Sequence, residues 1–189
     1  MRLTLTLPRL ELGAGYVAAL EEGFQFGDGR TRSALEIVAI EAAMVPYLTT
    51  LNIQGGTVAL PDGKLVERMP HSHLWLTDGA DFLGVFNIRY RLNARLRQRG
   101  GHIGYAIRPG RQGQGLATAG LGLAMAHTHA AGIGRVLVTC ADMNAASARV
   151  IERNGGLLEE ILPDPETGAL FRRYWIEGQG FAASPVLRS

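Results

Sequence analysis

One stretch of the chain, residues 109–118, has the composition of a loop that binds phosphate. Pro109 precedes a turn that contains Gly113 and Gly115, and a segment rich in Ala and Gly follows, which predicts a helix. A strand that leads through a glycine-rich turn into a helix presents unpaired backbone N–H groups and the positive end of the helix dipole. Glycine has no Cβ atom, so the backbone can approach a phosphate closely. The pattern predicts a site for a phosphate or a pyrophosphate.

Two common nucleotide-binding loops do not fit these residues. A Walker A loop requires Lys and then Ser or Thr after its last glycine, but Leu116 and Ala117 follow Gly115. The dinucleotide fingerprint requires a third glycine, and Thr118 occupies that position. No acidic residue ends a strand about twenty residues later, as that fingerprint also requires. The loop therefore indicates a ligand other than those of P-loop NTPases and Rossmann enzymes.

The segments around the loop alternate between strand and helix patterns. Period-two alternation and short apolar runs predict strands at residues 3–7, 74–76, 82–90, 103–107, 136–140, 157–162 and 170–176. Helical spacing predicts helices at about residues 15–23 and 33–51, the second with a kink at Pro46. A long helix rich in Ala and Gly is predicted from the glycine-rich loop to about residue 131, and another helix from Asn144 to about residue 154. These elements indicate an α/β protein in which the loop joins a strand to a long helix.

The composition is that of an ordinary globular protein. Of 189 residues, 47% are hydrophobic and 19% are charged, and the formal net charge is +2. This length favours one domain, placed at residues 1–178, with a loosely held tail at residues 179–189. The small charge gives no global indication of nucleic-acid binding, and no apolar stretch suits a membrane span. The lone Cys140 excludes an internal disulfide, and with no secretory signal evident we expect a cytoplasmic protein.

The glycine-rich loop also fits a family pattern. The pattern is Gln or Arg, two residues, Gly, one residue, then Gly or Ala, and the chain matches it with Gln112, Gly115 and Ala117. Pro109 stands at the usual distance before it. A second signature begins with Asn, has Ser three positions later and ends in a glycine pair, as residues 144–156 do. In both motifs the chain resembles the GNAT N-acetyltransferase superfamily.

The resemblance covers about residues 3–176 and implies a fold. The expected fold is α/β (α+β), a mixed, mostly antiparallel sheet of about seven strands with helices on both faces. The sheet is expected to split between the strand before the glycine-rich loop and the next strand. Residues 101–105 and 173–176 further resemble a bacterial subgroup known mainly as predicted acetyltransferases.

The same resemblance implies a reaction. The expected co-substrate is acetyl-CoA, without a metal, and the acetyl group is expected to pass directly to a primary amine in a ternary complex. The acceptor would be a small molecule or a peptide, with no nucleic acid or membrane partner, and homodimerisation stays open. Many relatives carry a tyrosine seven residues after the helix-start asparagine, where this chain has Ile151. A non-catalytic acyl-CoA-binding module is therefore the alternative.

The resemblance also assigns residues to the cofactor. In this family the strand before the loop pairs with the pantetheine arm, which implies contacts from backbone groups of Ile107 and Arg108. The amides of the loop and of the helix start are expected on the pyrophosphate. The predicted cofactor-binding residues are Ile107, Arg108, Gln112, Gly113, Gly115, Leu116, Ala117, Thr118 and Asn144.

Ser147 and His102 are the predicted catalytic residues. In relatives with the same Asn/Ser arrangement the serine lies near the cofactor sulfur, so Ser147 is the expected proton donor. Capping of the helix by Asn144 or Ser147 is the other interpretation. His102 is the candidate general base, because its ordinary pKa is near neutrality. A structural histidine is equally consistent, with deprotonation left to water or to a glutamate of the second helix, Glu36 or Glu41.

Three further features have less specific interpretations. Five arginines between residues 89 and 99 predict a solvated hairpin or a surface that attracts an acidic substrate. The pairs His71/His73 and His127/His129 do not predict a metal site, because positions two apart on a helix diverge and no Cys or carboxylate lies near the first pair. Tyr105 is expected in the core or lining the acetyl pocket.

Overall fold

The computed structural model describes residues 2–27, 29–59, 63–164 and 167–178. The predicted tail at residues 179–189 lies outside the described residues. Short 3₁₀ turns occur at Leu10–Leu12 and Pro109–Arg111. The strands are β1 Thr4–Thr6, β2 Thr57–Ala59, β3 Leu65–Glu67, β4 His71–Thr77, β5 Phe82–Arg89, β6 Ile103–Ile107, β7 Arg135–Ala141, β8 Leu157–Pro163 and β9 Leu170–Glu177. The helices are α1 Gly13–Glu21, α2 Ala34–Ala42, α3 Met44–Thr50, α4 Ala94–Gln98, α5 Leu116–Ala130 and α6 Ala145–Arg153.

Seven of these strands form a sheet that is split in two. One part has the order β1-β4-β5-β6, the other has the order β7-β9-β8, and every strand pairing in both is antiparallel. The parts meet where β6 begins, through a bridge between Gly101 and Val138 and a hydrogen bond from the His102 amide to the Leu137 carbonyl, 2.8 Å long. Along the rest of β6 no ladder joins it to β7 within the described chain. The predicted α/β fold with its split sheet is confirmed.

Helices cover both faces of the sheet. On one face, α1, α2 and α3 pack in an apolar cluster around Trp75, Phe82 and Val85. On the other, α5 and α6 cover a second cluster that includes Phe86 and Ile88. Because side chains alternate along a strand, neighbouring positions of β5 serve opposite clusters. Strand β5, which pairs with the strand before the glycine-rich loop, is therefore held between two layers of helices.

The predicted second helix is two helices. The break lies at Ala43, whose φ of −117° and ψ of 34° leave the helical region. Pro46 stands in the first turn of α3, where a missing N–H is tolerated, whereas in a continuous helix its ring would clash with the carbonyl four residues earlier. The predicted kink is therefore a full break, three residues before the proline. The β2–β3 ribbon and the short α4 were not predicted from the sequence.

Gly120 on α5 lies against the ring of Phe86. A Cβ atom added there would overlap with Cζ of this fully buried phenylalanine. We expect Gly120→Ala to lower the free energy of unfolding by about 1–3 kcal/mol, as overpacking does, although alanine favours a helix more than glycine. Urea unfolding measures the change. Gly122→Ala, at an exposed position of the same helix, is the matched control. Equal stability of Gly120→Ala and the wild type would contradict this close packing.

Candidate active site

A cavity of about 590 Å³ lies beside the split in the sheet, within the size range of ligand pockets. Its walls are the end of β6, the glycine-rich loop, the first turns of α5 and α6, and the segment that follows α1. The lining residues are Gly23, Phe24, Gln25, Tyr105, Ala106, Ile107, Pro109, Arg111, Gln112, Gly113, Gly115, Leu116, Ala117, Thr118, Asn144, Ala146, Ser147, Arg149, Val150 and Arg153. All predicted site residues except Arg108 and His102 are among them.

The two glycines of the loop adopt the left-handed conformation. Gly113 has a φ of 76°, and Gly115, which caps α5, has a φ of 76° and a ψ of 1°. No atom lies within 4 Å of a Cβ atom added at either position. Glycine is therefore required by the backbone conformation and not by crowding. This conformation directs the chain from the loop into the helix.

The amides of residues 113–118 form an array that has no acceptor among the described residues. The last paired amide before them is that of Gln112, which donates to the Pro109 carbonyl at 3.2 Å. The first helical bond of α5 runs from the Ala119 amide to the Gly115 carbonyl at 3.1 Å. Between these two bonds, no amide donates to a protein acceptor in the part of the chain that the structure describes. The free amides of a helix N-terminus bind phosphate well.

The charges around the cavity favour an anion. Three arginines line it, Arg111, Arg149 and Arg153, and none of the lining residues within the described ranges is acidic. Arg111 also donates to Asp81 at 2.8 Å, so part of its charge is compensated. The array of amides and the unbalanced positive charge fit a ligand that carries several phosphates.

An ionic network outside the cavity holds the start of the loop. The Arg108 guanidinium donates to Glu22 at 2.9 and 2.7 Å and to Asp81 at 3.0 Å. Glu22 also accepts the Gly110 amide at 2.9 Å. The Arg108 side chain is the main cause that lowers the pKa of Glu22. The network joins the end of α1, the β4–β5 turn and the 3₁₀ turn before the loop.

The backbone groups of Ile107 and Arg108, both predicted to contact the pantetheine arm, point to opposite sides of the strand. The Arg108 amide donates to the Leu83 carbonyl of β5 at 3.0 Å, so this donor is already used inside the sheet. The prediction is therefore corrected for Arg108, whose amide is not available to the pantetheine arm. In an antiparallel ladder alternate residues turn their backbone groups to the other side, so those of Tyr105 and Ile107 face the split. The Ile107 carbonyl accepts from the Gln112 side chain at 3.2 Å.

Asn144 and Ser147 meet at the start of α6. The Asn144 side chain accepts from the Ser147 amide at 2.9 Å, so Asn144 caps the helix. Both residues line the cavity, and the Ser147 side chain is half-buried. Ile151, at the position where many relatives carry a tyrosine, is fully buried in the core. That position therefore supplies no hydroxyl to the cavity.

Tyr105 brings a phenol to the same end of the cavity. Its ring stacks on Phe86, with centroids 5.5 Å apart, and its hydroxyl donates to the Ser147 carbonyl at 3.4 Å. Burial raises the pKa of Tyr105 to about 12. The phenol therefore stays protonated at neutral pH. Sequence reasoning named this residue without giving it a chemical role, since its position on β6 alone does not show what it faces.

His102 lies at the junction of the two sheet halves and outside the cavity lining. Its Nδ1 accepts from the Leu137 amide at 2.9 Å, and its own amide donates to the Leu137 carbonyl. Burial, with the nearby positive charges of Arg89 and Arg97, lowers the pKa of His102 to about 4. The ring is neutral, and its hydrogen bond joins β6 to β7. The structural interpretation of this histidine fits these contacts, whereas a general base needs access to the cavity.

The neutral state of His102 predicts a pH dependence of stability. Its pKa is about 4 in the folded protein against an ordinary 6.5, so between these values the unfolded chain binds more protons. The stabilising contribution is present above pH 6.5 and is lost as the pH falls from 6.5 to about 4. Burial also lowers the pKa of His73 to about 4, so two histidines act in this window.

We therefore expect the urea midpoint to fall over this pH window, and to fall less steeply in His102→Asn than in the wild type. The exposed His127 on α5 provides the control variant His127→Asn, which should follow the wild type. An identical pH profile for His102→Asn and the wild type would contradict a neutral His102 in the folded protein.

A smaller cavity of about 120 Å³ lies between α1, α3 and the sheet. Its lining includes Tyr16 and Tyr47, whose hydroxyls are 2.7 Å apart, and Phe24 lines both cavities. Neither Glu36 nor Glu41 belongs to either lining. Glu36 instead completes the capping box of α2 and binds Arg30. The two glutamates considered as bases are therefore not placed at the candidate active site.

The remaining sequence features have structural contacts. In the segment rich in arginine, Arg89 donates to the Gly101 carbonyl at 3.1 Å and Arg99 forms an ion pair with Asp164. Across the described ranges, no group of His, Cys, Asp and Glu side chains is arranged to hold a metal ion. In the same residues, no helix has the length and apolarity needed to cross a membrane.

The split antiparallel sheet, with a glycine-rich loop that leads from β6 into α5, is the arrangement of a GNAT-type fold. The sequence profile of the "Acetyltransferase (GNAT) domain" family matches residues 63–156, across β3 to α6. The chain belongs to the GNAT acetyltransferase superfamily. No curated protein sequence gives a significant match.

Several solved structures have the same fold. RimJ from Mycobacterium smegmatis, in complex with CoA-disulfide, is 18% identical with a TM-score of 0.64, over 96% of this chain and 85% of that chain. The microcin C7 self-immunity acetyltransferase MccE, in complex with acetyl-CoA and AMP, is 14% identical with a TM-score of 0.60, over 93% and 92%. RimL, the ribosomal L7/L12 α-N-protein acetyltransferase, in complex with coenzyme A, is 16% identical with a TM-score of 0.59, over 94% of each chain.

Proposed function

We propose that this protein transfers the acetyl group of acetyl-CoA to a primary amine by direct transfer in a ternary complex. The array of free amides at residues 113–118, facing a cavity without acidic side chains, is the observation that carries the proposal. Membership of the GNAT superfamily supports acetyl transfer in general. The structural neighbours MccE, RimJ and RimL bind acetyl-CoA or coenzyme A, and RimL is an α-N-protein acetyltransferase, which supports an amine acceptor.

Different groups of the cavity would bind different parts of acetyl-CoA. The amides of residues 113–118 would hold the pyrophosphate, with Gly113 and Gly115 supplying the backbone conformation that aligns them. The backbone groups of Tyr105 and Ile107 that face the split would pair with the pantetheine arm. Asn144, by capping α6, would keep the start of that helix beside the thioester end.

Proton transfer would fall to the two hydroxyls at the end of the cavity. Acetyl-CoA supplies a thioester carbonyl, and its departing thiolate needs a proton. A phenol is a stronger acid than an alkyl alcohol, so we assign proton donation to Tyr105. Ser147, expected from the sequence to be the donor, would hydrogen bond near the cofactor sulfur and orient it. The two assignments are separated by the Tyr105→Phe and Ser147→Ala variants.

Among the described residues, the cavity offers neither a basic side chain that could accept a proton nor a thiol nucleophile. Within the described chain no carboxylate, imidazole or thiol lines it, so water would take the proton from the acceptor ammonium. Cys140 lies outside the lining, and burial raises the pKa of its thiol. A raised pKa disfavours the thiolate that covalent catalysis needs. The lack of a thiolate and of a base that could activate the Ser147 hydroxyl supports direct transfer over an acyl-enzyme.

Calorimetry with acetyl-CoA, followed by a turnover assay on a panel of amines, tests the proposal. We expect saturable binding and release of the coenzyme A thiol only when a suitable amine is present. No binding at high micromolar acetyl-CoA would overturn the proposed function. Thiol release that does not require an amine would overturn direct transfer.

A non-catalytic acyl-CoA-binding module is the second candidate. The burial of Ile151 favours it, because the position that carries the acid in many relatives lies in the core here. Tight binding of acetyl-CoA with no turnover over the whole amine panel supports this candidate. Turnover that falls in Tyr105→Phe while binding persists supports the enzyme.

A further inference from the structure

Two arginines of α6 line the cavity and have no acidic partner among the residues that the structure describes. Arg149 and Arg153 are four residues apart, so they share one face of the helix, and both line the cavity. Both are exposed, and the described residues include no hydrogen-bond or ion-pair partner for either guanidinium. Arg111, the other arginine of the lining, is bound by Asp81. The Arg149/Arg153 pair is therefore the uncompensated positive charge of the site.

The Arg149/Arg153 pair lies beside the loop that carries the amides. Asn154, the residue after Arg153, donates to the Thr118 carbonyl at 3.1 Å, at the last residue of the amide array. This bond holds the end of α6 against the first turn of α5. A ligand bound to these amides would therefore lie close to the Arg149/Arg153 pair.

Coenzyme A carries a 3′-phosphate in addition to the pyrophosphate that the loop is expected to bind. The amides of residues 113–118 suit its pyrophosphate, while its ribose carries a separate 3′-phosphate. A phosphomonoester has a charge of about −1.5 to −2 at neutral pH and three strong acceptor oxygens. Arginine guanidinium groups form bidentate, charge-assisted hydrogen bonds to such a group.

We propose that Arg149 and Arg153 bind the 3′-phosphate of coenzyme A and make the protein select coenzyme A over its 3′-dephospho form. This inference rests on the proposed function, since it concerns the same cofactor. The pair acts on cofactor selection and takes no part in proton transfer. Its contribution is electrostatic, so the selectivity weakens as the salt concentration rises.

The test measures by calorimetry the affinities of the full-length protein for coenzyme A and for 3′-dephospho-coenzyme A. We expect the wild type to bind coenzyme A about 10–100-fold more tightly, as charge-assisted hydrogen bonds to a phosphate predict. The double variant Arg149→Gln/Arg153→Gln should bind the two ligands equally, with unchanged affinity for the dephospho form. Arg135→Gln is the matched control, because Arg135 on β7 is paired with Glu177 of β9 and does not line the cavity.

The outcomes separate a failure of this inference from a failure of the proposed function. Equal affinity of the wild type for both ligands overturns the inference and leaves the proposed function standing. The same holds if the double variant loses affinity for both ligands in parallel, because the pair then holds the pyrophosphate or the fold. No binding of either ligand to the wild type overturns the proposed function itself. The wild-type comparison needs no variant, so it decides the inference even if the double variant does not fold.

Discussion

The Tyr105→Phe variant is expected to lose about 100-fold or more in kcat, which is within the usual contribution of general acid catalysis. Its affinity for acetyl-CoA should be unchanged, because phenylalanine keeps the ring that stacks on Phe86 and only the hydroxyl is removed. The departing thiolate then lacks its proton donor. Turnover at saturating acetyl-CoA and amine measures kcat, and calorimetry measures the binding.

Tyr90→Phe is the matched control for this variant. The Tyr90 hydroxyl is 2.7 Å from that of Ser72, outside the cavity lining, so its removal should leave kcat unchanged. Ser147→Ala should reduce kcat less than Tyr105→Phe does. Full activity in Tyr105→Phe together with a severe loss in Ser147→Ala would return proton donation to Ser147, as expected from the sequence.

The second large effect is expected at Gly115, where valine should weaken acetyl-CoA binding by about 100-fold. A β-branched residue at a φ of 76° is a genuine outlier, and such strain costs about 3 kcal/mol at its upper range, or roughly 100-fold in affinity. The loop is expected to relieve this strain by leaving the conformation that aligns its amides. Titration of each variant with acetyl-CoA measures the loss.

A series at Gly115 separates backbone conformation from crowding by the ligand. Asparagine tolerates the left-handed region better than alanine although its side chain is larger. If conformation decides, affinity falls in the order Gly, Asn, Ala, Val, with alanine about 5–30-fold weaker than glycine. If the side chain instead clashes with the bound phosphate, asparagine should be worse than alanine. Gly122→Ala, in the exposed part of α5, should bind normally.

The cofactor loop could be predicted because its determinants are close together in sequence. Pro109, Gly113, Gly115 and the start of α5 lie within about eight positions, and each acts through its own backbone conformation. The same holds for Asn144, which caps α6 by accepting from the amide three residues later. Most strands and helices followed from periodic patterns, except the β2–β3 ribbon, α4 and the break between α2 and α3, and the split sheet followed from the family resemblance.

The support of the loop could not be predicted in this way. Arg108 was expected to act through its backbone, yet its side chain binds Glu22, 86 positions earlier, and Asp81, 27 positions earlier. Its amide is taken up by the pairing of β6 with β5. No local pattern marks either interaction, because both arise when distant segments pack together. Arg149 and Arg153 are four positions apart in the sequence, but that both line the cavity is a result of how α6 packs.

By itself the sequence determined the glycine turn and the helix start that we expect to hold a phosphate-bearing cofactor, since the conformation of a glycine turn and the dipole of a helix are local properties. Only the tertiary structure decided which side chains line the cavity beside this loop. His102 and Tyr105 are three residues apart, so they turn to opposite sides of the strand. Which side adjoins the cavity depends on where the sheet splits and which helices pack on each face. That packing holds His102 against Leu137 at the junction and brings the Tyr105 hydroxyl to the cavity.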